Sequence, residues 1–438
     1  MSRGGERVAV VGAGWAGLAA AIDLRRAGRD VAVFEAGPAP GGRARPVMVA
    51  GRTLDNGQHL LLGAYGSTLD LMRTIGVEPD AVLRRRRLAL ELDGADTRLS
   101  LRLGPGPAPL GLAAGLLTCR GPAAADRLRA LVGAPRLRRV PARDIDAAAW
   151  LRRCGQPEVL IERLWGPLCL AALNVPPGRA SARVLARVLR ETFSSRGAAD
   201  LLLPRSDLGA LLPRPAGRWL ADNGTEVRCS TRVRRLARDG TGWRLETAGG
   251  SERCAHVVLA TAPEAAARLL PADESPCRAL RHRLGSLGHE PITTVYLDYG
   301  PDTSLGHEMS GRLDGPGQWV FDRALTGQPG VMAVVISGSG PHMDWPRERL
   351  GRAVTDQLAC AHPAWPRPSV LGIVRERRAT FDCRPGIARV RVGVRGPLPG
   401  LWFGGDHVDT GLPATLEGAV RAGRACAREI ISMQEDNE

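Results

Sequence analysis

Four residues near the N-terminus have the types and spacing to hold a dinucleotide: Gly12, Gly14, Gly17 and Glu35. The glycines form a G-x-G-x-x-G run, "GAGWAG". The first permits a tight turn, the second lets backbone approach a pyrophosphate, and the third lets a helix pack closely on a strand. A helix opening at Trp15 and Ala16 would aim its free N–H groups at phosphate oxygens. Glu35 and Ala36 close a second strand about 23 residues beyond Gly12, where a carboxylate accepts hydrogen bonds from the adenosine ribose. The same charge repels a 2′-phosphate, which disfavours NADP.

The elements that must position these groups surround them in the sequence. Val8 to Val11 read as a buried strand. Leu18, Ala21, Ile22 and Arg25 recur at helical spacing, and Gly28 follows as a stop. The logic repeats near the C-terminus. An apolar strand, Leu401 to Phe403, runs into Gly404, Gly405 and Asp406, and a helix is expected from about Pro413. Leu416, Val420, Gly423, Ala427 and Ile431 give that helix an apolar stripe, with Glu417 and Arg421 paired on another face. Between the two, a strand leads to Val233, and His256 to Ala260 return the chain to the nucleotide sheet. The expected fold class is α/β, with a Rossmann-type dinucleotide domain assembled from residues 1–77, 204–265 and 386–438. Residues 78–203, rich in helical periodicity, and 266–385, mixing strands and helices, form an inserted α+β substrate domain.

A second constellation is "LDNGQHLLLG" (54–63). A turn-like Asp-Asn-Gly brings Gly57, Gln58 and His59 against an apolar run. His59 and Gln58 are the candidate catalytic residues. An apolar pocket lowers a histidine pKa and leaves it neutral unless a carboxylate helps. Asp55 is the nearest acid. In one extended strand the two would stand about 13 Å apart, beyond pairing; a turn would allow it. A positioning role for Gly57, Gln58 and His59 is favoured over His59 as an acid.

Composition narrows the partners. The 438 residues, 44% of them hydrophobic, suffice for two or three domains with ample core. The net charge is +15, yet every one of the 60 basic residues is arginine. Without lysine there is no lysine Schiff base and no P-loop lysine. The densest basic run, Arg84 to Arg87, has no nucleic-acid motif beside it, and aromatics are only 4%, so no nucleic-acid partner is expected. Attraction to an anionic membrane surface is the other use of such charge. Nine scattered cysteines without a C-x-x-C pair, and no visible secretion signal, point to reduced thiols in a cytoplasm and to no metal site. No apolar run reaches the roughly 20 residues of a membrane span. The nearest, "APLGLAAGLLTC" (108–119), precedes the basic "RGPAAADRLRALVGAPRLRR". It reads equally as an interfacial membrane contact and as a buried helix.

"GPAPGGRAR", with Gly41, Gly42, Arg43 and Arg45, resembles the second signature of the FAD-binding oxidoreductases related to amine oxidases and phytoene desaturases. The resemblance implies FAD, with Gly42 and Arg43 at the pyrophosphate. It implies a contact from Val233 to adenine through its backbone, and the positioning role read for Gly57 and Gln58 would then lie at the flavin face. It also places Gly405 and Asp406 near the ribityl phosphate, and Ala414 and Thr415 at the flavin pyrimidine edge. "DNGQHLLLGAYGSTLDLMRTIG", "LWGPLCLAALNVPPGRASARVLARVLRE" and "GLPATLEGAVRAGRA" together resemble the hydroxysqualene dehydroxylases, also known as squalene-associated FAD-dependent desaturases. That resemblance spans essentially the whole chain. It implies reduction of hydroxysqualene to squalene, in hopanoid or related triterpene synthesis, by hydride from reduced FAD. A long apolar isoprenoid needs an aliphatic channel, for which Leu60 to Leu62 and Leu168 to Leu173 are candidates. His407 departs from the pattern, which has an aromatic residue such as Trp there. A carotenoid-type desaturase or isomerase would carry the same cofactor motifs, and a flavin-free relative would keep the fold. The electron donor is left open.

Overall fold

The computed structural model describes residues 7–104 and 106–435. Residues 1–6, part of the stretch read as lacking a secretion signal, and 436–438 lie outside the described residues. The fold is α/β. A parallel sheet runs in the spatial order Val227–Arg228, Val31–Phe34, Val8–Val11, His256–Leu259, Leu401–Phe403. Val8 pairs with both Val31 and His256, and Val257 with Leu401. Strands far apart in sequence thus build one sheet. The central strands are almost wholly apolar because both faces are covered, one by the helices Trp15–Arg26 and Leu416–Glu435 and the other by an antiparallel sheet, Arg235–Asp239, Gly242–Thr247 and Gly250–Cys254. The helix Trp15–Arg26 lies against the C-terminal helix Leu416–Glu435. Gly423 is what lets them approach: a Cβ there would overlap the Ala16 carbonyl oxygen.

The first helix ends as expected, with Gly28 at φ +78° and its N–H on the Arg25 carbonyl. The last helix starts at Leu416 rather than near Pro413. Thr415 sets that start, because its Oγ1 accepts the Gly418 N–H at 3.0 Å and caps the first turn.

The larger sheet has seven strands in the order Ser369–Phe381, His289–Asp298, Val331–Ser337, Trp319–Asp322, Met309–Arg312, Ala89–Asp93, Arg98–Arg102. Its last two strands come from the stretch expected to be helical, as do Leu83–Arg86 and Leu201–Pro204 of a smaller sheet. The periodicity of 78–203 is therefore mixed. Its helices are nonetheless clear: Glu158–Leu160, a π-helical turn at Ile161–Trp165, Gly166–Leu173, and then Ala182–Thr192 after the Pro-Pro-Gly break.

Asn174 ties this helical layer to the large sheet. It ends Gly166–Leu173 in the left-handed region at φ 58°, a conformation asparagine tolerates better than most. Its side chain donates to the Pro291 carbonyl and Thr380 Oγ1, both at 3.1 Å, and accepts the Gly338 N–H at 2.6 Å. No helix among the described residues is long and apolar enough to cross a membrane.

Candidate active site

A cleft of about 930 Å³ lies over the parallel sheet. Its floor is nearly free of side chains. Gly12 turns at φ +104°, where a Cβ would sit 2.7 Å from the Ala260 carbonyl oxygen. Gly14 and Gly42 face each other, and a Cβ on Gly42 would stand 3.2 Å from the Gly14 Cα. The Gly41 N–H donates to the Ala13 carbonyl at 2.8 Å and so locks the second glycine loop onto the first. Trp15 and Ala16 open the helix above this floor and line the cleft; the helix carries no side-chain cap and no acid in its first turn. Its N-terminal N–H groups therefore have no capping side chain at the edge of the cleft. Gly17 is set back from the cleft, where a Cβ would overlap the Gly12 carbonyl.

Glu35 stands at one end beside Ala36. Its two oxygens accept the Ala13 N–H at 2.8 Å and the Gly37 N–H at 2.6 Å, which fixes the carboxylate and leaves further lone pairs for a diol. Val233 lines the same end, and Gly405, Asp406, Ala414 and Thr415 line the other. Arg43 links the N- and C-terminal signatures: its guanidinium donates to Asp406 at 2.6 Å and to the Ala379 carbonyl at 2.7 Å. Burial alone would raise the Asp406 pKa, but Arg43, with His407 and Arg391 beside it, outweighs burial and holds the carboxyl below its ordinary range.

A second cavity, about 330 Å³, meets this cleft. The two share Arg43, His59, Glu376, Ala414 and Thr415 as walls. Beyond them the second cavity is aliphatic and aromatic, with Leu168, Leu185, Leu189 and Phe193 on its helical side and Leu90, Trp319 and Phe321 on the sheet. Leu60 and Leu62 line it, whereas Leu61 between them turns into the core. From Leu168 to Leu173, only Leu168, Ala171 and Ala172 reach it.

Gly57 and Gln58 line this second cavity and not the cleft. The Asp-Asn-Gly stretch does turn: Gly57 lies at φ +89° with its N–H on the Asp55 carbonyl at 2.8 Å. The turn still does not pair Asp55 with His59. Asp55 is taken by Arg323 at 3.2 Å and by the Leu208 N–H at 2.9 Å. The ring Nδ1 of His59 bonds the Gly57 carbonyl at 2.9 Å instead. Burial lowers the His59 pKa.

Two positioning residues, Arg323 and Arg391, were not singled out from sequence, and Glu417 was expected only as the partner of Arg421. Arg323, its side chain 1% exposed, donates to Gln58 Oε1 at 2.8 Å as well as to Asp55, and so sets the orientation of the Gln58 amide. Arg391 is equally buried and donates to the carbonyls of Asp406, His407, Val408 and Leu412, holding the loop between the last strand and the last helix. Glu417, paired with Arg421 at 2.7 Å as expected, is itself buried and also accepts the N–H groups of Ser67 and Thr68 at the start of helix Gly66–Thr74. His407 fills the place of the expected aromatic; it is buried, and burial lowers its pKa to about 4.

Residues 15–431 match the sequence profile of the family described as flavin containing amine oxidoreductase. The chain belongs to that family. As one of its members the protein is an FAD-dependent oxidoreductase, and FAD is its cofactor. The chain is 34% identical to a hydroxysqualene dehydroxylase of Rhodopseudomonas palustris, over 98% of its own length and 99% of the relative's. It is 30% identical to one of Sinorhizobium fredii, again over 98% and 99% of the two chains. A solved oxidoreductase from Methanosarcina mazei has the same fold, with a TM-score of 0.74 at 16% identity, over 96% of this chain and all of that one (100%). The cleft suits the flavin cofactor of the family: its side-chain-free floor, its uncapped helix N-terminus and the carboxylate of Glu35 each match one part of a dinucleotide.

Proposed function

We propose that this flavoenzyme reduces hydroxysqualene to squalene. The observation that carries the proposal is the meeting of the two cavities, in which a cavity lined mainly by apolar side chains adjoins the cofactor cleft at Arg43 and His59. The similarity to hydroxysqualene dehydroxylases over the whole chain supports it.

FAD would lie with its ribose at Glu35, its adenine at Val233 and its pyrophosphate over Gly12, Gly14, Gly42 and the helix opening at Trp15. Asp406, Gly405, Ala414 and Thr415 would hold its other half. Bound and reduced, it supplies hydride. In the reaction the allylic C–O bond breaks, a C–H bond forms at that carbon, and the hydroxyl departs as water after taking up one proton.

The chain's own residues do the rest. The apolar walls exclude water and align the isoprenoid along the sheet. Gln58 has its carbonyl on Arg323 and one Nε2 proton directed at the His59 carbonyl, 3.5 Å away, so the other Nε2 proton is the one it can present to the substrate oxygen. His59 bonds a carbonyl through Nδ1, so the neutral ring carries its proton there and its Nε2 has none to give. His59 therefore positions the wall of the site and does not protonate the leaving group.

Purified protein with an external reductant should convert hydroxysqualene to squalene, read by mass spectrometry, and leave a carotenoid precursor unchanged. Desaturation of the carotenoid without squalene formation would overturn the proposal.

A further inference from the structure

We infer that the helical hairpin Ala108–Thr118 and Ala124–Gly133 docks on an anionic lipid bilayer. The inference takes its biological sense from the apolar substrate proposed above, but it rests on surface features of its own.

Among the described residues, six large hydrophobic side chains are exposed, and four of them lie on this hairpin. Leu110 is 66% exposed, Leu117 48%, Leu128 58% and Val132 65%. Leu110 and Leu117 are two turns apart, and Leu128 and Val132 one turn apart, so each pair shares a face of its helix. The hairpin is firmly seated on its other side. Leu112, Leu116 and Ala130 are buried. Gly115 packs on the sheet edge, where a Cβ would stand 2.8 Å from the Arg102 carbonyl oxygen. The outward leucines thus belong to a packed element and not to a loose one.

Charge complementarity selects the occupant. From Arg120 to Arg139 the chain has six arginines and one acid, Asp126. Arg127 turns inward, onto the carbonyls of Leu117 and Cys119. Arg120, Arg129, Arg136, Arg138 and Arg139 are exposed, and none forms an ion pair among the described residues. Exposed leucines bordered by unpaired arginines match the acyl boundary and the phosphates of an anionic leaflet together.

The position of the patch fits as well. A recess lined by Arg85, Arg87, Arg196, Leu103, Gly104 and Gly106 shares Ala199 with the apolar cavity. Gly104 in turn donates its N–H to Gly111 of the hairpin at 3.0 Å. One wall of the substrate cavity, at Ala199, therefore lies on the hairpin's side of the molecule, from which an isoprenoid dissolved in the bilayer would approach.

The test is co-sedimentation of the flavin-loaded protein with vesicles of phosphatidylglycerol and phosphatidylcholine, against phosphatidylcholine alone. Binding should require phosphatidylglycerol and weaken with salt. Replacing Leu110, Leu117, Leu128 and Val132 together by serine should weaken it at least tenfold, roughly. The triple reversal Arg129→Glu, Arg136→Glu, Arg138→Glu should weaken it about 100-fold at low salt. Met48→Ser with Val370→Ser, exposed leucine-like positions elsewhere, should leave it unchanged. The charge reversals keep the test sound if the serine variant does not fold. Failure of the unaltered protein to bind, or equal binding by both hairpin variants, would overturn the inference. So would a change from dimer to monomer in the serine variant without any loss of vesicle binding, because the patch would then be a subunit interface. Vesicle binding is read without turnover. If binding holds and hydroxysqualene is not reduced, it is the proposed reaction that fails.

Discussion

His59 sits where the two cavities meet, and the hydrogen bond at its Nδ1 decides what it can do there. A ring that must keep its proton on Nδ1 to satisfy the Gly57 carbonyl has only a lone pair at Nε2. Burial, which lowers its pKa, removes the imidazolium as a ready acid. His59→Gln should therefore reduce turnover by less than about tenfold, whereas loss of a general acid costs roughly 100- to 10,000-fold. Steady-state squalene formation at saturating substrate measures this, and a loss in the upper range would restore His59 as the acid. Glu35 was legible in sequence because its distance from Gly12 follows from the shape of a dinucleotide, and Arg43 and Asp406 because the motifs around them resemble signatures of the family. Arg323 and Arg391 were not. Each is one of many arginines in a chain without lysine, and only the folded structure brings them to Gln58 and to the loop after Asp406.

At the level of elements, the site depends on two helices held closer than ordinary side chains allow. Trp15–Arg26 offers its N-terminus to the cleft, and Leu416–Glu435 carries the Thr415 end of it. Gly423→Val would force them apart at the Ala16 carbonyl. Overpacking of this kind costs about 1–3 kcal/mol, and the displaced helix N-terminus should also lose its hold on pyrophosphate. Urea unfolding, with flavin content after gel filtration, should show lower stability and protein that releases FAD. Retention of both would mean that the helix contact does not shape the cofactor site. Elements with strong local patterns, such as Val8–Val11 and Trp15–Arg26, could be read directly from the sequence. The strands Ala89–Asp93 and Arg98–Arg102 were missed although they form a local hairpin in which Leu90, Leu92, Leu99 and Leu101 alternate with polar residues and turn to the core. Their place in the large sheet is the part that no local window carries, because Ala89–Asp93 joins it by pairing with Met309–Arg312, more than two hundred residues away.

Across the whole molecule, one sheet builds a polar cleft, the other builds the wall of an apolar cavity, and Arg43, His59 and Glu376 stand where the two meet. The proposed reaction, hydride transfer to a carbon buried among hydrocarbon with loss of one oxygen as water, uses both cavities. The measurement that tests this most directly is an anaerobic single turnover. Protein whose flavin has been reduced by light is mixed with hydroxysqualene, and flavin absorbance and squalene are followed together. The expected result is return of the oxidised flavin bands at the same rate as squalene appears, one squalene for each flavin. Flavin that stays reduced in the presence of hydroxysqualene, or reoxidises without squalene, would contradict it.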